Sequence, residues 1–599
     1  MLHPSNPSRE RLDSLRANFP GDGVDAVLVP RYDAHLGEYC APHDERLRFL
    51  TGFTGSAGMC LILADRAVMF VDGRYQVQVR QQVDLDQFEI AHLIEQPVAR
   101  WLVESGATGL RVGVNPMLIP GELHAELSRV LTGGGGALVA LDADSVDRIW
   151  PDQPPPPLAP ISAMPAERSG ETSADKRRRI GARLHDLQAD LLVEAQPDNI
   201  AWLLNVRGVD VDTTTAPHSF ALVDGDGGVE WFVDERKLPN DRDSLELDGV
   251  TLRSPGALVE RITARASNRA VVVDPQHAPA ALALAVEIGG GRVVREMSPI
   301  TLMKASKNAV ELQGFRDCHI EDGVALSNFM AWLQATVPAR AASGNPVTEL
   351  EAEEKVLAFR QASSQFLQPS FRAISASDAN AAMCHYVSTP QTNAPITASS
   401  VYLLDSGGHY LGGTTDVTRT MCLAPPDAQF RSAYTAVLKG LLATLMLRFP
   451  AGTFGHQIDA FARKPLWDLG LDFDHGTGHG VGHVGAIHEA PHRITRVANP
   501  FEMSPGKVLT VEPGCYVEGQ FGIRIENQVE VVDVANGFLQ LRSLTLCPIL
   551  LEMAELSELT AAERAFLDEY HARVRAELMP RVLPETRDWL ASATAPIAV

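Results

Sequence analysis

The chain has 599 residues, 45% hydrophobic and 21% charged, so two to four packed domains are expected and a disordered or fibrous chain is excluded. Lys plus Arg number 52 against 75 Asp plus Glu, a formal net charge of −23, which repels nucleic-acid phosphates and anionic membranes at long range. Neither nucleic acid nor a membrane is an expected partner.

Met1 to Phe19 holds no apolar core ahead of a small-residue cleavage site, and nowhere do 18 apolar residues run together. Neither a secretory leader nor a spanning helix is therefore expected. The cysteines at 40, 60, 318, 384, 422, 515 and 547 are odd in number and form no Cys-x-x-Cys pair. They suit a reducing compartment, as small buried hydrophobes.

Two stretches share one grammar. Asp25-Ala-Val-Leu-Val29, Leu47-Arg-Phe-Leu-Thr-Gly52 and Phe70-Val-Asp-Gly-Arg74 are matched in order by Ala189-Asp-Leu-Leu-Val193, Ile200 to Gly208 and Phe232-Val-Asp-Glu-Arg236. Each holds a β-branched run, an aromatic-bearing segment closed by Gly and a second β run, as two copies of one α/β module would. Between them, Pro151 to Pro160 contains six prolines and reads as a stiff linker, because Pro forbids helix interior and central strand alike. Lys176 to Arg179 opens an amphipathic segment with Ile180, Leu184 and Leu187 and reads as a solvated helix face. A softer boundary near residue 305 separates the Gly289 to Gly291 turn and its strand from a long helical pattern that starts at Ser306. The division expected is 1–155, 162–304 and 305–599.

In the last of these, Thr348-x-x-Glu351 and Thr560-x-x-Glu563 read as capping boxes, and Phe430 to Phe449 has helical spacing. Segments 401–405, 414–423, 508–517 and 521–533 read as antiparallel strands. They also carry acidic residues where apolar ones are expected. Asp405 ends Val401-Tyr-Leu-Leu-Asp405, and Asp416 interrupts Thr414 to Thr420. A tight connection through Gly407, Gly408, Gly412 and Gly413 would pair the two strands as a hairpin and put both carboxylates on one face. Glu512 follows Val511. Ile523, Ile525, Val529 and Val531 alternate with Arg524, Glu526, Gln528 and Glu530, which puts Arg524 and Glu526 on a shared face, either the wet side of an edge strand or a buried acidic cluster. His479 lies within Asp474-His-Gly-Thr-Gly-His-Gly-Val-Gly-His483, where glycines permit unusual backbone conformations and close approach to a site. A single His is otherwise an ordinary core or surface residue.

Three other motifs fail. His488-Glu-Ala-Pro-His492 matches the helical zinc-protease pattern in letters, but Pro491 forbids the helix. The glycines near His479 spell no phosphate loop, and Gly-x-Ser-x-Gly is absent.

Asp405, Asp416, His479, Glu512 and Glu526, in this order and in these surroundings, resemble the ligand set of the dinuclear pita-bread metallopeptidases. Asp33-Ala-His-Leu-Gly-Glu-Tyr39, Phe53-Thr-Gly-Ser-Ala-Gly58 and the tail from Leu544 to Ile549 with Tyr570-His571 extend the resemblance over the whole chain, to the three-domain cytosolic aminopeptidase P family. It implies an α/β (α+β) chain with two duplicated creatinase-like modules ahead of a pita-bread catalytic domain. Four carboxylates and one imidazole balance two dications with room for a bridging hydroxide, and oxygen-rich ligation suits Mn²⁺. By the resemblance, Asp416 and Glu526 bridge the ions, Asp405 completes one, and His479 with Glu512 completes the other. Glu512 is then the acid/base, His385 and His488 bind substrate and stabilise the intermediate, His475 lines the proline pocket, and Arg524 orients a ligand carboxylate. The implied substrates are peptides with proline second, cleaved before that proline by a cytoplasmic homodimer whose leading modules restrict peptide access. A prolidase or methionine aminopeptidase lacks two such modules, and a binding protein reusing the fold would have lost ligands.

Overall fold

The computed structural model describes residues 7–141 and 144–597; the first six residues of the stretch Met1 to Phe19 lie outside them. The chain forms two compact units, one of Met1–Ala166 with Glu171–Thr301 and one of Glu167–Gly170 with Leu302–Val599.

The first unit contains two six-stranded sheets. In one the order is Phe88–His92, Ala67–Val71, Met59–Leu63, Ala26–Pro30, Arg111–Val114, Ala137–Ala140; in the other it is Val250–Arg253, Val229–Phe232, Phe220–Asp224, Leu191–Glu194, Ala270–Val273, Arg292–Arg295. The pairings also match position by position. In both sheets the strand first in chain order joins the next two by successive antiparallel ladders, and the three remaining pairings are parallel. Identical order and direction make these two copies of one module. Central strands such as Ala26–Pro30 and Met59–Leu63 are buried at every position, because helices cover both faces and leave no side for polar alternation.

Residues 151–160 form no helix or strand, yet they are not a bare spacer. Gln153 Nε2 donates to the His43 carbonyl at 2.9 Å and Ala159 N to Asp210 Oδ1 at 3.1 Å. The basic run departs further from its expected solvated face. Lys176 is 1% exposed; its Nζ donates to Trp202 O at 3.0 Å and Asn205 Oδ1 at 2.7 Å and lies 4.4 Å above the Trp202 ring. Arg177 is buried as well, while Arg178 and Arg179 stay outside. A lysine can sit on the apolar side of a helix when its three donors find acceptors there.

The second unit packs a three-stranded sheet (Ile374–Ser377, Val401–Ser406, Val417–Cys422) and a six-stranded one against long helices that include Ala309–Ala342, Ala428–Leu445 and Ala561–Leu578. The helix expected from 430 to 449 ends at Leu445, and Phe449 belongs to the strand Arg448–Pro450. Thr560 and Glu563 form the full reciprocal cap. At Thr348 only half forms, because Glu351 pairs with Arg340 instead.

One buried charge cluster here costs stability. Lys307 pairs with Glu489, Lys304 lies 3.5 Å from the same carboxylate, and Lys507 Nζ donates to the Ser306 hydroxyl. Burial and the neighbouring Lys307 pull the Lys507 ammonium down to about 8 from 10.5. For a base whose pKa is depressed on folding, the penalty is full below the folded value and relieved as pH rises toward the unfolded one. Lys507→Met should therefore stabilise the protein at pH 7 by about 2 kcal/mol, roughly the protonation penalty less one hydrogen bond. The gain should shrink to nothing near pH 10. Thermal unfolding at both pH values checks this; equal midpoints for variant and wild type at pH 7 would refute it.

Candidate metal centre

Three of the four expected strands are broken, each at an acidic residue. Asp416 falls between Gly413–Thr414 and Val417–Cys422, Glu512 between Val508–Val511 and Gly514–Val517, and Glu526 between Phe521–Arg524 and Asn527–Val534. At every break the chain leaves one sheet and enters another. Freed from the ladder, each carboxylate can turn inward. The backbone stays accounted for by other partners: Glu512 N donates to Thr477 O at 2.7 Å and Glu526 N to Thr418 O at 3.1 Å. The strand alternation does not run past Arg524, yet Arg524 and Glu526 still meet on one side, since both side chains hydrogen-bond to Thr418 Oγ1. Nor is there a wet side, because Arg524, Glu526, Gln528 and Glu530 are all buried.

Asp405 stays within its strand, opposite Thr418 in the antiparallel ladder. The connection between these strands is not one hairpin; Gly408–Tyr410 leaves to pair with Gly413–Thr414 on one side and Phe366–Pro369 on the other. His479 is central in the short strand Gly478–Gly480. Its flanking glycines serve close packing, not unusual dihedrals: Gly476, Gly478, Gly480 and Gly482 are absent from the positive-φ set, whereas a Cβ at Gly478 would collide with the Thr510 carbonyl.

The donor atoms converge. One donor atom from each of Asp416, His479 and Glu526 lies within 4.8 Å of the others. His479 Nε2 is 3.4 Å from Asp416 Oδ2 and 3.7 Å from Glu512 Oε1. Its Nδ1 donates to the Gly480 carbonyl at 2.9 Å, which leaves the Nε2 lone pair facing the carboxylates. Arg524 donates to Asp405 Oδ2 at 2.5 Å and to Thr418 Oγ1 at 3.1 Å, and Thr418 in turn donates to Glu526 Oε2 at 2.7 Å. The second oxygen of Asp405, Oδ1, is buried with no hydrogen-bond partner among the described residues.

Such a cluster is under-compensated. Burial and the Asp405 charge push the Asp416 carboxyl well above its ordinary range; burial and Asp416 do the same to Glu526, and burial raises Glu512 to about 7. One arginine cannot neutralise four converging carboxylates. Two divalent cations would, and the orphaned Asp405 Oδ1, the aimed His479 Nε2 and the oxygen-rich donor set fit them.

The remaining site histidines gather around this centre. The His488 ring lies 4.4 Å from His479 and 6.5 Å from His385. His475 Nδ1 donates to Gly476 O at 2.7 Å, so its Nε2 accepts from Tyr516 OH at 2.8 Å. Arg524 also donates to that hydroxyl, at 2.7 Å, so Tyr516 joins His475 to the arginine held on Asp405. Neither Tyr516 nor the Thr418 bridge has a spacing signal in the sequence. The rejected zinc-protease pattern falls on the strand Glu489–Ile494, not on a helix.

Residues 313–533 match metallopeptidase family M24, 537–597 the C-terminal region of peptidase M24, and both 11–147 and 152–311 the creatinase/prolidase N-terminal domain. Aminopeptidase P1 of Arabidopsis thaliana is 32% identical over 98% of this chain and 99% of its own. The chain belongs to metallopeptidase family M24. A probable Xaa-Pro aminopeptidase P of Laccaria bicolor is 36% identical over 100% of this chain and 94% of its own. X-prolyl aminopeptidase from Caenorhabditis elegans, described as a cytosolic enzyme with a di-nuclear active site, superposes with a TM-score of 0.92 at 32% identity, covering 98% of this chain and 100% of that one. As an M24 member the chain is a hydrolase, with two creatinase-like modules preceding a pita-bread catalytic domain. Among the described residues, no helix is long and apolar enough to cross a membrane.

Proposed function

We propose that this M24 chain is an Xaa-Pro aminopeptidase that removes an N-terminal residue lying before proline, with 1–155, 162–304 and 305–599 as its three domains. The observation that carries the reading is the convergence of Asp416, His479 and Glu526 donor atoms within 4.8 Å beside a buried, half-satisfied Asp405. Asp405, Asp416, His479, Glu512 and Glu526 would hold two divalent ions, Mn²⁺ by the preponderance of oxygen donors. When bound, such ions supply an acidified water and a polarised scissile carbonyl.

The protein's own groups do the rest. Glu512, whose Oε1 lies 3.7 Å from His479 Nε2, is placed to take a proton from water and return it to the departing proline nitrogen. His385 and His488 hold the peptide and stabilise the oxyanion. His475, braced by Tyr516, borders the proline ring, and Arg524 keeps Asp405 in one orientation. The likeness to the Caenorhabditis elegans enzyme supports a cytoplasmic location; a homodimer is part of the same proposal.

An Arg-Pro-Pro type peptide should lose its first residue only when Mn²⁺ is restored after chelation. Xaa-Pro dipeptides should turn over more slowly than longer Xaa-Pro peptides. Metal-independent release would sink the assignment, and turnover confined to dipeptides would make the chain a prolidase instead.

A further inference from the structure

A second cluster of metal-ligating side chains lies in the first unit. Asp33, Asp44 and His218 each place one donor atom within 4.8 Å of the others. Asp33 is 1% exposed. Its Oδ1 accepts from the backbone N–H groups of His35 at 2.9 Å and Gly37 at 3.0 Å, whereas its buried Oδ2 has no hydrogen-bond partner among the described residues. That oxygen points at the cluster, 3.4 Å from His218 Nε2. Asp44 gives one oxygen to Arg46 at 3.0 Å, and both Asp44 and His218 retain some exposure, so solvent reaches the group.

The imidazole is held in place. The His218 backbone N–H donates to Asp210 Oδ2 at 2.7 Å, and its carbonyl accepts from Lys237, which is itself paired with Asp210 at 2.6 Å. The His218 ring packs 4.6 Å from His35, whose Nδ1 donates to the Ala195 carbonyl at 3.0 Å. Two carboxylates and one imidazole thus converge, with the buried Asp33 Oδ2 left open among them. A buried charge in this position is retained when it is paired or coordinates a cation.

We infer that Asp33, Asp44 and His218 form a mononuclear site for a first-row divalent cation such as Zn²⁺, linking the first creatinase-like module to the second. Two carboxylates neutralise one dication, and an imidazole nitrogen in a set of three favours zinc or cobalt over calcium or magnesium. Water completes the coordination on the exposed side. The site does not depend on the peptidase reading, since it shares no residue with the proposed dinuclear centre.

The test is the zinc content of chelated, full-length protein after equilibrium dialysis against Zn²⁺. Asp416→Ala/Glu526→Ala should empty the dinuclear centre and still hold one equivalent per chain. Adding His218→Ala, or Asp33→Asn to preserve side-chain shape, should remove that equivalent, and Co²⁺ loaded in place of Zn²⁺ should lose its visible d–d absorption. Circular dichroism and retained peptidase activity of the single His218→Ala variant check folding. Equal zinc content with and without the His218 substitution would overturn the site and leave an ordinary carboxylate–imidazole ion pair.

Discussion

Asp416→Asn should lower peptidase turnover by at least about three orders of magnitude and strip the catalytic domain of bound metal. The substitution keeps the shape and removes one negative charge from the centre of the buried acidic cluster, 3.4 Å from His479 Nε2. A unit charge acting on a dication neighbour at about 4 Å contributes roughly 4 kcal/mol or more at an effective dielectric near 20, which is about 10³ in an equilibrium or rate. The metal-free variant should be no less stable than metal-free wild type, because one charge fewer in a buried like-charged cluster relieves repulsion. Steady-state kinetics, elemental analysis and thermal unfolding of the chelated proteins report the three effects separately. A variant that keeps two metal equivalents and turns over within tenfold of wild type would remove Asp416 from the centre.

Arg419→Met should produce the largest loss of stability among single changes in the catalytic domain. The guanidinium is 3% exposed and donates to the carbonyls of Thr418, Glu526, Cys547 and Pro548, to Asn527 Oδ1 and to Tyr570 OH, at 2.6 to 3.2 Å. It thus ties the broken strand at Glu526 to the C-terminal segment. An unsatisfied buried acceptor costs about 1–3 kcal/mol, and even with some acceptors held by other donors the sum is about 4 kcal/mol or more. The midpoint should fall by about 10 °C or more, or the protein should fail to accumulate in soluble form. Arg419→Lys should rescue little, because a point ammonium with three donors cannot reproduce a planar five-donor fork. Wild-type unfolding by the lysine variant would show that the network is dispensable.

The candidate site was legible because its chemistry is local in the sequence. Asp405, Asp416, Glu512 and Glu526 stand out as charges set in apolar runs, His479 as an imidazole among glycines, and a run of prolines separates the duplicated modules. Each signal depends only on near neighbours. Strand continuity did not read correctly, since Thr414 to Thr420 and Phe521 to Val531 have unbroken β composition while the chain changes sheet at Asp416 and Glu526. A switch of ladder partner is set by the strands that arrive from elsewhere, not by the propensity of the strand that switches.

The order of the acidic residues and His479, the repeated modules and the exclusion of a helical zinc motif by Pro491 were determined by the sequence alone, because covalent spacing and dihedral limits suffice for them. Only the tertiary structure decided that Tyr516 braces His475, that Arg419 closes the C-terminal segment onto Glu526, that Lys176 is buried on Trp202, and that His218 meets Asp33. Those contacts join residues tens to hundreds of positions apart. Their partners are chosen by which surfaces pack together and by the need to satisfy every buried donor and acceptor, conditions that no local stretch of chain contains.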